Sequence, residues 1–90
     1  MATVTKKFHS DAGHGWLAVK IHELKMLGIE GSISPYSYVR GGTVYLEEDA
    51  DAPTFINAMQ VKGIEVMVDE GPSRDRSPIR SMKSYDADTI

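Results

Sequence analysis

The chain has 90 residues and a mass of 9.9 kDa, which is the size of one domain with a small hydrophobic core. It has 41% hydrophobic and 26% charged residues, no cysteine and a formal net charge of −3. These values exclude a fully disordered chain, a disulfide framework, a zinc finger and a thiol nucleophile, and the acidic balance argues against direct nucleic-acid binding.

The organisation of the chain is that of a single compact domain over residues 1–90. No repeat or linker divides it, and the turn-rich stretch 69–78 is predicted to be a mobile surface loop. No apolar run approaches the roughly 20 residues of a membrane span. The first seven residues carry charge without the apolar segment of a signal peptide. We therefore expect a cytoplasmic protein with no membrane partner.

The first third of the chain predicts two strands and a helix. Residues 4–9 are expected to form an extended edge segment, and residues 15–19 a short buried strand. Apolar residues then recur at a spacing of three over 20–27, and Gly28 follows as a typical C-terminal stop, which predicts a short amphipathic helix.

The middle of the chain predicts a β-hairpin. Two runs rich in aromatic and β-branched residues, 36–39 and 43–47, flank a glycine pair at 41–42. Glycines supply the positive φ angles of tight hairpin turns, so the pattern indicates two antiparallel strands joined by a two-residue loop.

The second half predicts a helix and one or two further strands. Acidic residues precede the helix, Asp51 or its neighbour is expected to cap it, and Pro53 suits its first turn. Residues 64–69 alternate like a half-buried strand, while 79–85 form a last edge strand or lie across the surface. The expected fold is α+β, with a small, mainly antiparallel sheet of four to six strands and two short helices on one face.

The densest polar segment is 8–16, which contains His9, Asp11 and His14. These residue types bind first-row metals, but their spacing matches no metal signature. A Ser-His-Asp triad within one short loop rarely has the required geometry. The commoner interpretation is a tight turn in which Asp11 accepts hydrogen bonds from nearby amides. We therefore assign neither a metal nor a catalytic residue here, and expect no cofactor.

Two charged segments allow more than one interpretation. The acidic run 47–51 is typical of a helix N-terminus, and alternatively binds a hard cation or mimics phosphates. In the basic C-terminal stretch, Arg74, Arg76 and Lys83 are candidate anion-binding residues, although such stretches are commonly solvated tails. Opposite charge in one chain also allows head-to-tail contact between copies, as in a dimer, or an intrachain contact.

The hairpin carries three tyrosines, which favour protein or ligand binding when exposed, unless they only cover their own sheet. The loop over 9–16 contains two histidines, an aspartate and the single tryptophan of the sequence, where simple turn residues would satisfy the fold. This composition favours a recognition site. The predicted binding residues are His9, Asp11, His14, Trp16, Tyr36, Tyr38, Tyr45 and Arg80. Alanine at position 14 or 80 is expected to impair binding with little change in stability, as at typical surface positions.

Three blocks of the sequence resemble a known family. They are FHSDAGHGWLAV, SPYSYVRGGTVYLEEDADAP and SPIRS, and together they lie within residues 8–85. The order resembles a family of small hypothetical proteins of tailed bacteriophages and related mobile elements. Its members often carry cysteine between the two aspartates, where this chain has Ala50. The resemblance implies an origin and a role that needs no thiol, and it transfers no catalytic residue.

Three functions follow as hypotheses. The first is a non-catalytic phage accessory protein that binds a host protein or complex, such as a defence or nucleic-acid-processing system, and blocks or redirects it. The second is a binding protein for a small anionic ligand, a phosphorylated or cyclic nucleotide, whose phosphates meet the basic stretch. The third is a metal-dependent hydrolase that uses His9, Asp11 and His14.

Overall fold

The computed structural model describes residues 2–71, 73 and 77–90, which form one six-stranded sheet and two α-helices. The elements in chain order are β1 (Ala2–Ser10), β2 (Gly15–Lys20), α1 (Ile21–Leu27), β3 (Tyr38–Arg40), β4 (Thr43–Glu47), α2 (Asp51–Val61), β5 (Ile64–Glu70) and β6 (Lys83–Ser84). The sheet order is β5-β1-β2-β4-β3-β6, and every neighbouring pair is antiparallel except β1 and β5. The expected α+β class is confirmed. No helix in this described part is long and apolar enough to cross a membrane.

Both helices pack on the same face of the sheet. Leu17 lies opposite Leu46, and Val19 opposite Val44, so these four side chains share one face. The helices cover that face with Leu24, Phe55 and Met59. All seven side chains are almost fully buried, as expected where amphipathic helices cover a sheet.

The edge position expected for residues 4–9 is wrong. β1 is an interior strand: it pairs in parallel with β5 from Ala2 to Phe8, and antiparallel with β2 at its other side. Exposure alternates along β1, because Val4 and Phe8 pack against the core while Thr5 and Lys7 are exposed on the other face. Alternating polarity indicates one wet face and does not distinguish an edge strand from an interior one.

The predicted hairpin is present, but its turn has one positive φ angle instead of the expected two. Only Gly41 has a positive φ, of 60°, whereas Gly42 does not. A positive φ at the first loop residue alone is the pattern of a type II′ turn, whose twist matches that of the flanking strands.

The stretch 69–78 differs in part from the predicted loop. β5 continues through Glu70, and Pro78 begins a 3₁₀ turn that ends at Ser81. Residues 72 and 74–76, which include Arg74 and Arg76, lie outside the described residues. The last edge strand predicted over 79–85 is limited to β6, which pairs with β3.

Gly15 is required by close packing. A β-carbon there would overlap the ring of Phe8 and lie 3.1 Å from Oε2 of Glu48. We expect Gly15→Ala to lower the free energy of unfolding by about 1–2 kcal/mol, because the Phe8 ring must leave its place on the sheet. Gly31→Ala is the matched control, since its β-carbon would meet open space. Equal urea midpoints for the two variants would contradict this packing.

Candidate functional site

The face of the sheet opposite the helices carries the aromatic side chains. Trp16 alternates with the core residue Leu17, so its ring lies on this open face, yet it is only 2% exposed. Its ring centroid is 5.9 Å from that of His14, in a stacked arrangement, and 6.3 Å from that of Tyr38, in an edge arrangement. These contacts form a small aromatic cluster outside the main core.

Asp11 joins the loop after β1 to the C-terminal segment. Its Oδ1 accepts hydrogen bonds from the backbone amides of Gly13 at 3.1 Å and His14 at 3.0 Å, which confirms the predicted tight turn. Its Oδ2 accepts the Ser77 amide at 3.0 Å and Nε of Arg80, and Nη2 of Arg80 donates to Oδ1 at 2.8 Å. This one carboxylate therefore fixes two segments of the chain that are more than sixty residues apart.

The charges of Asp11 and Arg80 stabilise each other. The Asp11 side chain is fully buried, whereas that of Arg80 is 30% exposed. The Arg80 guanidinium, with the Ser77, Gly13 and His14 amides, holds the pKa of Asp11 well below its usual range despite its burial. The hydrogen bond to Asp11 correspondingly raises the pKa of Arg80.

Arg80 also contacts the aromatic cluster. Its Nη2 lies 2.7 Å from Nδ1 of His14, and its Cζ is 5.8 Å from the centroid of Trp16, within the range of a cation–π contact. Since guanidinium only donates, Nδ1 of His14 is the acceptor in this arrangement. Asp11, His14 and Trp16 thus fix the position of Arg80 before any partner binds.

A cleft of about 440 Å³ opens over this cluster, and we call it the aromatic cleft. Tyr36 stands at its side with 75% of its surface exposed. Glu47 and Asp49 add carboxylates to a lining that also holds Arg80. The complete lining is His14, Trp16, Tyr36, Tyr38, Glu47, Asp49, Ala50 and Arg80.

The structure brings five of the eight predicted binding residues to this cleft, while three lie elsewhere. Asp11 is behind the cleft, where it holds Arg80. His9 and Tyr45 contact each other, with ring centroids 5.7 Å apart, and neither lines the cleft. Of the anion-binding candidates, Lys83 is exposed on β6 and does not line the cleft either.

Asp51 has a different role from the predicted cap. The first turn of α2 receives no side-chain cap, and Asp51 is buried with Oδ2 directed at the loop before β3. That oxygen accepts hydrogen bonds from Ser34 N at 3.0 Å, Ser34 Oγ at 2.7 Å and Ser37 Oγ at 2.5 Å. Glu47 instead accepts from the amides of Asp49 and Ala50 just before the helix.

Asp51 consequently positions one wall of the aromatic cleft. Ser34 and Ser37 flank Tyr36, and Ser37 Oγ also accepts the backbone amide of Glu47 at 2.9 Å. The network therefore fixes the Tyr36 backbone against the start of α2. Sequence reasoning missed it, although two serines around a Pro-Tyr pair are a signal for a loop held by side-chain hydrogen bonds.

The arrangement of Asp11 gives no support to a metal-dependent hydrolase. Both of its carboxylate oxygens accept hydrogen bonds from N–H donors. Within the described ranges, no group of three histidine or acidic side chains is placed to hold a metal ion. Asp11 also pairs with Arg80 where a triad would require a histidine.

A scan against protein-family models, a search of curated proteins and a search of solved structures each found no match to this chain. The chain is a small α+β domain with helices on one face of its sheet and an aromatic cleft on the other.

Proposed function

We propose that this chain is a non-catalytic binding protein of a tailed phage or related mobile element. It acts in the host cytoplasm and uses the aromatic cleft to bind a host protein, which it blocks or redirects. The phage origin rests on the sequence resemblance, and the binding role rests on the site.

The proposal is supported chiefly by the exposed Tyr36, which lies beside the fixed aromatic cluster of His14, Trp16 and Tyr38. Tyrosine, tryptophan and arginine are the residue types that contribute most to protein interfaces. Here Arg80 is 30% exposed and is held in place by Asp11, by His14 and by the buried ring of Trp16, so little side-chain entropy is lost when a partner covers its guanidinium. A prearranged cleft with an exposed tyrosine at its side is suited to contact rather than to chemistry.

The charges of the cleft favour a protein partner over an anion. The charge of Arg80 is already matched by Asp11, and Glu47 and Asp49 add two further carboxylates to the lining of the cleft. A phosphate in the cleft would meet these carboxylates, which disfavours it. A partner surface with both donors and cationic side chains complements the lining.

A nucleotide is the second candidate ligand because of the size of the cleft. A volume of about 440 Å³ lies in the range of small-molecule sites, and the exposed Tyr36 ring offers a stacking surface for a base. A panel of mononucleotides and cyclic nucleotides tests it, since a ligand at 100 times its Kd stabilises the fold by about 2.7 kcal/mol. An unchanged melting temperature would eliminate this alternative.

Tyr36→Ala is expected to weaken partner binding at least about tenfold while the free energy of unfolding changes by no more than about 0.5 kcal/mol. The reason is that Tyr36 is exposed, so its side chain contributes to contact and little to the core. Quantitative capture from host lysate on immobilised protein measures the effect. Met26→Ala is the control, because Met26 is 69% exposed on α1, on the opposite face. Equal recovery of every protein by wild type and Tyr36→Ala would refute the proposal.

A further inference from the structure

The free edge of β5 is a second surface with the features of a binding site. β5 is seven residues long and lies at the end of the sheet, and among the described residues only β1 pairs with it. Its outer backbone groups are therefore available to another strand. Two of its apolar side chains, Met67 and Val68, are 49% and 46% exposed. An exposed strand edge with apolar side chains is a template for strand addition.

An apolar groove extends to this edge on the helix face. Its volume is about 250 Å³, and its apolar lining includes Phe8, Ile56 and Val68. Glu48 and Glu70 supply carboxylates to the same groove. An apolar side chain from a strand added beside β5 would point toward this groove, since alternate side chains of neighbouring strands share a face.

The charges of β5 define the partner. Glu65 and Asp69 are exposed on its open face, and Glu70 is exposed on its helix face, while the strand carries no basic residue. A strand with lysine or arginine opposite these carboxylates would form favourable cross-strand pairs. The complementary segment is extended, with basic residues opposite Glu65, Asp69 and Glu70 and apolar residues opposite Val66 and Val68.

A second copy of this chain is a poorer occupant. In the only antiparallel two-fold register that pairs all seven residues, Met67 faces its own copy and Glu65 faces Asp69 twice. Like charges directly opposite each other destabilise a strand pair. The acidic edge thus disfavours self-pairing and leaves a basic segment as the better match.

We propose that β5 binds an extended, basic segment of a partner protein as a seventh, antiparallel strand of the sheet. The segment hydrogen-bonds to the outer edge of β5, directs an apolar side chain toward the groove at Phe8 and Val68, and pairs its basic residues with Glu65, Asp69 and Glu70. This surface is separate from the aromatic cleft and does not depend on it.

The test is titration of the full chain with the blocked heptapeptide Lys-Lys-Ile-Thr-Val-Lys-Val, followed by backbone amide NMR shifts. In antiparallel register its lysines lie opposite Glu70, Asp69 and Glu65, and its isoleucine lies opposite Val68. We expect saturable binding with a Kd of about 100 μM or tighter, with the largest shifts in β5. The peptide with glutamate at each lysine position is expected to bind at least about tenfold more weakly.

Charge exchange on the protein provides the matched variant. Glu65 and Asp69 are exposed, so E65K/D69K is expected to fold, and its amide spectrum verifies this. It should prefer the glutamate peptide, whereas M26K on α1 should behave like wild type. The proposal is overturned if neither peptide shifts the β5 amides of wild type or if the shifts centre on Tyr36. It is also overturned if E65K/D69K keeps the wild-type preference for the lysine peptide. Concentration-dependent dimerisation with shifts confined to β5 would assign the edge to a second copy instead and equally overturn it.

Discussion

Asp11→Ala is expected to produce a large loss of stability, lowering the melting temperature by roughly 10–20 °C. The buried Asp11 carboxylate accepts from three backbone amides and from Arg80, so its removal leaves these donors without their acceptor. The turn at 78–81 would then lose its attachment to the loop after β1. Thermal unfolding followed by circular dichroism measures the change.

Arg80→Ala is expected to be costly for the same reason, contrary to the expectation from sequence. It leaves a buried carboxylate without its guanidinium partner, and an unpaired buried charge is strongly unfavourable. His14 is exposed, so His14→Ala is the matched control with a much smaller change. Equal melting temperatures for the two variants would contradict the role of the Asp11–Arg80 pair.

The pH dependence of the melting temperature tests the Asp11–Arg80 ion pair independently. Because the folded-state pKa of Asp11 lies well below the unfolded value of about 4, its ionisation stabilises the fold above that pH. The stabilisation is lost as the pH falls from about 4 toward the folded-state pKa. Wild type should therefore lose more of its melting temperature between about pH 5 and pH 2 than Asp11→Asn does. Parallel pH profiles would show that Asp11 titrates normally.

Asp51→Ala is the second substitution with a large expected effect, about 3 kcal/mol from the free energy of unfolding. Oδ2 of Asp51 accepts three hydrogen bonds from Ser34 and Ser37 in a buried position, and alanine leaves these donors unsatisfied. Asp51→Asn retains an acceptor oxygen and should cost less. Urea unfolding measures both variants.

The control for Asp51 is Asp49→Ala, because Asp49 is exposed two residues earlier and should change stability by less than about 0.5 kcal/mol. Asp51→Ala should also shift the amide resonances of Tyr36, whose loop the network holds. A loss no larger than that of Asp49→Ala would mean that Asp51 only begins a helix, as the sequence alone suggests.

Local patterns were sufficient to predict most of the fold. The period of apolar residues in α1 and α2 and the glycine pair of the hairpin are signals within a few residues of each other, and the structure confirms these elements. The position of β1 could not be predicted, because the parallel pairing of Ala2 with Ile64 depends on where the chain returns after α2. A solvated face and a free edge also give the same alternation of polarity.

Part of the candidate site could also be predicted from the sequence. Residue type alone drew attention to His14, Trp16, Tyr36, Tyr38 and Arg80, and these line one cleft. Residue type could not show that Asp11 and Arg80, 69 positions apart, form one ion pair. It also could not show whether a carboxylate such as Asp51 caps its own helix or a distant loop, because both arrangements satisfy the same group.

The measurement that tests the binding role most directly is photo-crosslinking from the aromatic cleft in host cells. A benzophenone amino acid replaces Tyr36 in one protein and Met26, on the opposite face, in another; both side chains are exposed. We expect a discrete protein adduct from position 36 that is absent from position 26 and is lost when wild-type chain is supplied in excess. No adduct from position 36, or the same adducts from both positions, would contradict a binding role for the aromatic cleft.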